Sequence, residues 1–192
     1  MDDVRDNVSD ETLMQAYLAN DQRAFEQLFG RIAPRLHAFF RRCFGQATVA
    51  DELLQTTFLN IHKGRHTYKP GASVQTWMFA IAANVRRDEW RRRYRLKEDC
   101  SEDALEAAER KNQVSPTLAA ETRDRIQRVR VALERLPESQ RVVVSLHRYE
   151  GMSFAEIAEV LGTTPAAARI RAFRAYEALR EELRDLGRAE AA

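Results

Sequence analysis

The stretch FAEIAEVLGTTPAAARIRAFRAYEALR, residues 154–180, decides the fold class. Phe154, Ile157, Ala158 and Leu161 fall at i, i+3, i+4 and i+7, the apolar face of a short helix that Gly162 ends. Thr164-Pro165 opens a second helix, a capping hydroxyl followed by a residue whose fixed φ suits the first helical position. Helix, short glycine-containing turn, helix is the helix-turn-helix arrangement, whose second helix enters a DNA major groove. On that second helix Ala168, Ala172, Ala175 and Leu179 share one face, and their small size lets it approach its neighbours closely. The opposite face carries Ala166, Arg169, Ile170, Phe173 and Arg174, with Arg171 on a flank. Glu177, Glu181 and Glu182 repel phosphate, so DNA contact is expected in the N-terminal half of this helix.

Working outward, the helical period continues. Asp21 caps a helix bearing Phe25, Leu28, Phe29 and Ile32, and Pro34 is expected to open another with Leu36, Phe39, Phe40 and Cys43, closed by Gly45. Thr48 is the expected cap of a third helix, with Ala50, Leu54, Phe58 and Ile61 on one face, before a loop from Gly64 to Ser73. A fourth helix aligns Val74, Trp77, Met78, Ile81 and Val85. Residues 98–109 hold six acids and no base, the signature of a linker. Ser115-Pro116 then reads as a helix start, Ile126, Val129, Leu133 and Leu136 make a helical face, and Pro137 opens a further helix through Val143 and Leu146. No useful length alternates at period two. The expectation is an all-α chain of two small helical domains, residues 9–96 and 116–186, joined by a flexible acidic linker at 97–115, the second domain containing the helix-turn-helix.

Composition excludes several classes. The 192 residues carry 31 basic and 29 acidic side chains, so any nucleic-acid surface must be local. No glycine-rich phosphate loop is present. Cys43 and Cys100 form neither a C-x-x-C nor a zinc pattern, and His37, His62, His66 and His147 lack ligand partners at convincing spacing, so neither metal nor cofactor is expected. The acidic start MDDVRDNVSDE is no signal peptide, and the longest apolar run, Trp77–Ala83, is far short of a membrane span. These features point to a cytoplasmic chain without membrane insertion. No nucleophile elbow or H-E-x-x-H is present, so a catalytic role is the least supported class.

The local nucleic-acid signal lies after Trp77. Residues 86–97 hold Arg86, Arg87, Arg91, Arg92, Arg93, Arg95 and Lys97 against only Asp88 and Glu89, a local net charge of +5. Cations favour a helix C-terminus, but charges this dense repel one another at i,i+3 and i,i+4 unless something anionic compensates. A phosphate backbone does so, with affinity gained by counterion release. Trp77 lies on the apolar stripe and is expected in the core. Tyr68 lies off every stripe and is the expected stacking platform for a base. Asn84 is an amide among Ala82, Ala83 and Val85, either a partner for a neighbouring loop or a reader of base edges.

With those residues in view, the chain resembles the extracytoplasmic-function (group IV) sigma factors of the bacterial sigma-70 family. The resemblance rests on DQRAFEQLFGRIAPRLHAFFRR (21–42), ADELLQTTFLNIHKGR (50–65), YKPGASVQTWMFAIAANVRRDEWRRR (68–93) and the segment 132–180, in that order and spacing. It implies a transcription initiation factor that binds core RNA polymerase, directs it to promoters and helps to melt the minus-ten region without covalent chemistry. By position, the helix with Asp51, Glu52, Gln55, Phe58 and Asn60 would dock on the clamp helices of the largest polymerase subunit. The loop with Tyr68, Lys69 and Ser73 would hold a base flipped from the melted non-template strand, Asn84 would line its pocket, and Arg86, Arg87, Arg91 and Arg92 would hold phosphates. Arg169, Arg171, Phe173 and Arg174 would read the minus-thirty-five duplex. The linker would thread the RNA-exit path. An anti-sigma factor that clamps between the two domains is the implied regulator. Ala80, Ala83, Lys69, Ala166, Ala167 and Ile170 depart from the family's usual residues, the last three by removing hydrogen-bonding groups from the DNA face. Two other readings remain: a sigma-like mimic that titrates an anti-sigma factor, which should lack the basic strip at 86–95, and a plain helix-turn-helix regulator, which leaves the first domain unexplained.

Overall fold

The computed structural model describes residues 8–99 and 119–184, with side chains for 8–95 and 124–184. Most of the expected linker and the Ser115-Pro116 helix start lie outside the described residues. Within them the backbone is helical, with no strand. The elements are α1 (Asp10–Leu18), α2 (Gln22–Phe44), α3 (Ala47–Gly64) and a single 3-10 turn (Arg65–Thr67), then α4 (Val74–Asp99). After the undescribed stretch come α5 (Ala119–Arg135), α6 (Glu138–Val144), which runs into a π turn over Ser145–Tyr149, α7 (Phe154–Leu161) and α8 (Pro165–Glu182).

Three boundaries differ from the sequence reading, each for a local reason. Pro34 lies inside α2, which is continuous from Gln22 to Phe44. An interior proline costs about 3 kcal/mol through its lost donor and its clash with the carbonyl four residues back. Here that residue is Gly30, and the stripe Leu28, Ile32, Leu36, Phe39, Phe40 and Cys43 is buried on both sides of the proline, so packing outweighs the break. α3 starts at Ala47, capped by Gln46 without a side-chain bond, so Thr48 lies inside the helix. α1 was not foreseen as an element. Ser9 caps it by accepting from the Thr12 amide, and Leu13, Met14 and Tyr17 bury its inner face.

The helix-turn-helix has strong local supports. Ser153 and Glu156 form a capping box at α7: the hydroxyl accepts from the Glu156 amide, and the carboxylate accepts from the Ser153 amide at 2.8 Å. Gly162 ends α7 at φ 63°, the left-handed conformation that a side chain disfavours. Thr164 caps α8 by accepting from the Ala167 amide, with Pro165 at the first position. Ala168, Ala172 and Ala175 are buried, as their spacing requires.

The two groups of helices pack on each other. One continuous buried cluster joins Leu28, Leu36, Phe39, Phe40 and Phe79 to Val142, Val143, Leu146, Met152, Ile157 and Val160. α7 lies along α4, and α5 and α6 meet α2. A second, small cluster of Leu133, Leu136, Val144 and Ala175 belongs to the C-terminal helices alone.

Candidate nucleic-acid interface

α8 presents Arg169, Phe173 and Arg174 to solvent, with Arg171 half-buried on the flank. Phe173 is 66% and Ile170 53% exposed, large apolar side chains that the core does not use. The guanidinium of Arg169 stands 5.6 Å from the Phe154 ring, which fixes its direction at the start of the helix. The outer face is thus formed as the sequence spacing requires: a basic, partly apolar helix surface with its acids at the far end.

On α4 the basic strip divides into three groups. Asn84 and Arg91 are exposed at i and i+7, on one side of the helix. Arg92 and Arg93 are committed to Glu89: Arg92 donates from Nε at 2.7 Å and Nη2 at 2.8 Å, and Arg93 from Nε at 2.6 Å. These bonds hold the Glu89 carboxyl below its ordinary pKa, the Arg92 bond most of all, against the opposing effect of partial burial. Arg86 and Arg87 face the C-terminal helices. Arg86 is only 5% exposed and ion-pairs with Glu138, and Arg87 donates to the Leu161 carbonyl at 3.5 Å. Desolvation pulls the Arg86 pKa below its ordinary value, although the group stays charged. Neither is a free phosphate clamp in this arrangement. Charge density alone did not reveal this, because the partners lie more than 50 residues away in sequence.

Tyr68 is a clear correction. Its ring is 4% exposed and packs edge-on against Trp77 at 5.6 Å, and its hydroxyl donates to the Ala72 carbonyl at 2.6 Å. It therefore braces the 68–73 loop from inside and offers no face to a base. Burial pushes its pKa up. Ser73 caps α4 by accepting from the Thr76 amide at 3.1 Å. Residues 69–73 of the loop, Lys69 included, are exposed. On α4 the rings of Trp90 and Tyr94 are exposed beside arginines and line an open hollow with Asp88, Arg91 and Arg95. The signal for them was present in WRRRY (90–94), two aromatics four apart on one helix face.

On α3, Asp51, Glu52, Gln55 and Asn60 are exposed, and Phe58 is 8% exposed, its ring tilted against that of Phe29 with centroids 4.4 Å apart. Phe58 is a core residue that supports the surface from below. Leu59, 52% exposed, and Phe29, 41% exposed, are the apolar groups that the surface presents. The sequence reading missed both because Leu59 lies off the core stripe and Phe29 lies on it. His37 lies 3.1 Å from Asp51. The Tyr17 hydroxyl meets His62 Nδ1 at 2.6 Å, which ties that histidine to the core. Among the described residues no group of three or more His, Cys, Asp or Glu side chains is placed to hold a metal ion. No described helix is long and apolar enough to cross a membrane.

An all-helical chain with a basic recognition helix, a second basic helix and an acid-rich helix edge carrying exposed apolar groups has the arrangement of a promoter-recognition factor. Sigma-70 region 2 matches residues 28–96, and sigma-70 region 4 matches residues 126–179. The chain belongs to the sigma-70 family, among its extracytoplasmic-function sigma factors, and directs RNA polymerase to promoters. It is similar to the RNA polymerase sigma factor CarQ of Myxococcus xanthus, 38% identical over 178 residues that cover 90% of this chain and 97% of that protein. The ECF RNA polymerase sigma factor SigM of Mycobacterium tuberculosis is 33% identical over 167 residues, covering 87% of this chain and 81% of that one. Among solved structures, CnrH in complex with the cytosolic domain of CnrY superposes with a TM-score of 0.68 at 28% identity, covering 92% and 97% of the two chains. The sigma factor RpoE of Bartonella quintana, solved with the anti-sigma factor NepR, shares the fold with a TM-score of 0.69 at 24% identity, covering 83% of this chain and 96% of that one.

Proposed function

We propose that residues 9–96 bind core polymerase and read the melted minus-ten strand, and that residues 116–186 read the minus-thirty-five duplex. The carrying observation is that three chemically distinct surfaces are exposed on three separate elements. The α3 edge with Asp51, Glu52, Gln55, Leu59 and Asn60 combines an apolar anchor with a polar surround, the composition of a protein interface. It is the polymerase surface, docking on the clamp helices. Asn84 and Arg91 stand exposed on α4, and Lys69 on the loop that precedes it, an amide and cations suited to a base edge and its phosphates. Trp90 and Tyr94 extend this side with stacking faces that tolerate any base. On α8, Arg169, Phe173 and Arg174 enter the major groove, and Ile170 and Phe173 contact thymine methyls there.

The chemistry is binding alone. Strand opening draws on the capture of unstacked bases, whose extrusion costs a few kcal/mol each. The chain acts in the cytoplasm, without metal or cofactor. An anti-sigma factor is its regulator, in keeping with the sigma factor RpoE, which was solved with the anti-sigma factor NepR. The basic strip and recognition helix favour this reading over a mimic that never touches DNA.

The experiment is in-vitro transcription with core polymerase on a genomic template library, followed by permanganate footprinting at the promoters found. Core-dependent transcripts sharing upstream and downstream elements are expected. Arg169→Ala with Arg174→Ala should abolish recruitment to duplex promoters and persist as a defect on pre-melted templates that keep the upstream element. Asn84→Ala should spare recruitment and reduce opening. Full promoter recruitment by the Arg169 and Arg174 double variant would remove α8 from its role.

A further inference from the structure

The turn before α4 is held on both flanks by groups that face away from solvent. Lys69, Pro70, Gly71 and Ala72 have the residues and the hydrogen bond of a type II turn: the Ala72 amide donates to the Lys69 carbonyl at 3.0 Å, and Gly71 takes φ 88°. The Tyr68 hydroxyl straps this turn from inside, donating to the Ala72 carbonyl at 2.6 Å. The rest of Tyr68 is fixed as well. Its amide donates to the Arg65 carbonyl at 3.2 Å, and its ring meets Trp77 of α4 edge-on at 5.6 Å. On the far flank Ser73 accepts from the Thr76 amide at 3.1 Å. Glu11 reaches over from α1 and accepts from the Val74 amide at 3.3 Å. The turn is therefore tied to the 3-10 turn, to α4 and to α1, while residues 69–73 themselves stay exposed.

Restraint of this kind bears on the capture of an unstacked base. A loop that must order itself as the base arrives loses affinity to its own conformational entropy, and a loop already held does not. The strap can be removed with little harm to the fold. Ala72 is exposed, so water can serve its carbonyl when the Tyr68 hydroxyl is gone, and the ring keeps its packing on Trp77. What is lost is the hold on the turn. Burial first, and the Glu11 carboxylate second, push the Tyr68 pKa up, so the hydroxyl remains a donor at neutral pH. Charge on Glu11 repels phosphate, so any help it gives to capture comes from its bond to the Val74 amide.

We infer that Tyr68 and Glu11 are positioning residues for strand capture: neither touches DNA, and together they hold the 69–73 turn in its capturing shape before a base arrives. The inference rests on the reading of this turn as part of the minus-ten surface. Tyr68 acts through its hydroxyl on the Ala72 carbonyl, and Glu11 through an acceptor oxygen on the first amide of α4.

The test uses the full chain assembled with core polymerase and a non-template oligonucleotide carrying a minus-ten element identified by in-vitro transcription. Tyr68→Phe keeps the ring and loses the hydroxyl, so a stacking role would survive it and a positioning role would not. It should bind the oligonucleotide about tenfold more weakly, if the freed turn holds its capturing shape one-tenth of the time. Recruitment to duplex promoters should be unchanged, and permanganate reactivity of the minus-ten thymines should fall. Glu11→Ala should weaken capture in the same direction, whereas Glu11→Gln, which keeps an acceptor and sheds the charge, should match or exceed wild type. Ile32→Val is the control for general stability: it deletes one methyl group from the core of the same module and should capture the strand as wild type does. Wild-type capture by Tyr68→Phe overturns the inference for Tyr68. Equal losses in Glu11→Gln and Glu11→Ala overturn it for Glu11. Equal weakening by Ile32→Val overturns both, since stability alone would then explain the effect. Failure of the wild-type assembly to bind the strand would instead remove the functional reading of the turn. The two failures are distinct, because only in the first does the wild type still bind.

Discussion

Arg86, in the middle of α4, is ion-paired with Glu138, the first residue of α6, across the contact between the two modules. The guanidinium is 95% covered and cannot shed its charge, whereas a quarter of the Glu138 side chain is still in reach of water. The two partners are therefore unequal. Loss of the acid strands a buried cation, while loss of the cation leaves a carboxylate that water can serve.

Glu138→Ala should accordingly destabilise the chain more than Arg86→Met. About 2 kcal/mol is expected for the acid and less for the arginine, in the range of charge-assisted contacts. Urea denaturation of both single variants and the double variant closes the cycle. The double variant should lie nearer wild type than Glu138→Ala. Equal costs for the two singles would show that the pair is not desolvated as the structure has it.

The polymerase surface can be separated from the core beneath it. Leu59→Ala removes an exposed side chain and should leave the melting temperature within a degree or two, since solvent-facing substitutions stay within about 0.5 kcal/mol. It should weaken association with core polymerase in a pull-down or fluorescence titration. Phe58→Ala deletes a buried ring packed against Phe29 and should cost about 3 kcal/mol of stability before any effect on binding is measured. Wild-type polymerase affinity in the folded Leu59 variant would move the interface elsewhere.

Glu89 engages two arginines in ion pairs. In Glu89→Gln, Arg92 and Arg93 are released, so affinity for non-specific DNA should rise and its salt dependence steepen by up to about two counterions. The ion pairs also couple stability to pH. The Glu89 carboxyl sits below its ordinary value of 4.5 in the folded chain, so its contribution is present at neutral pH, above the unfolded pKa. That contribution fades as pH falls below about 4.5 and through the folded value. Filter binding across a salt series, with acid titrations of wild type and Glu89→Gln, checks both. The stability difference between the two chains should shrink on acidification, and one that grows would reverse the assignment.

Cys43 is the chain's own reporter of docking. Its thiol is pushed up to about 11 by burial, against the pull of Arg86, Arg141 and Arg42. Little thiolate exists at pH 8, so alkylation of Cys43 should be slow in a Cys100→Ser background. Arg141, whose guanidinium donates to the Cys43 carbonyl, sits on the other module. Variants that separate the modules should speed alkylation several-fold at unchanged helicity. Rapid labelling of the wild type would mean that this interface is open most of the time.

The sequence alone determined most of the helices and their inward faces, because periodicity at 3.6 residues is a local signal, but α1 and the continuity of α2 through Pro34 escaped it. Ala168, Ala172 and Ala175, spaced four and three apart, could pack only one way, and Thr164-Pro165 and Gly162 fixed the turn between α7 and α8 chemically. The exposed face of α8 and the acid-rich edge of α3 follow from the same arithmetic, so the exposure of Arg169 and Arg174, the proposed recognition residues, was legible without coordinates. Only the tertiary structure decided which polar and aromatic residues are free to act. Tyr68 lies off every apolar stripe, yet Trp77 and the Ala72 carbonyl take it inside. Arg86 looked like a phosphate clamp until Glu138 met it from 52 positions away. Glu150, one acid among many in the sequence, became a three-fold contact only when Arg35, Arg42 and Gln75 closed around it. The physical reason is that helix propensity and amphipathic period act over one or two turns. Desolvation and ion pairing depend instead on what the chain brings back from far along its length, and no local pattern encodes that.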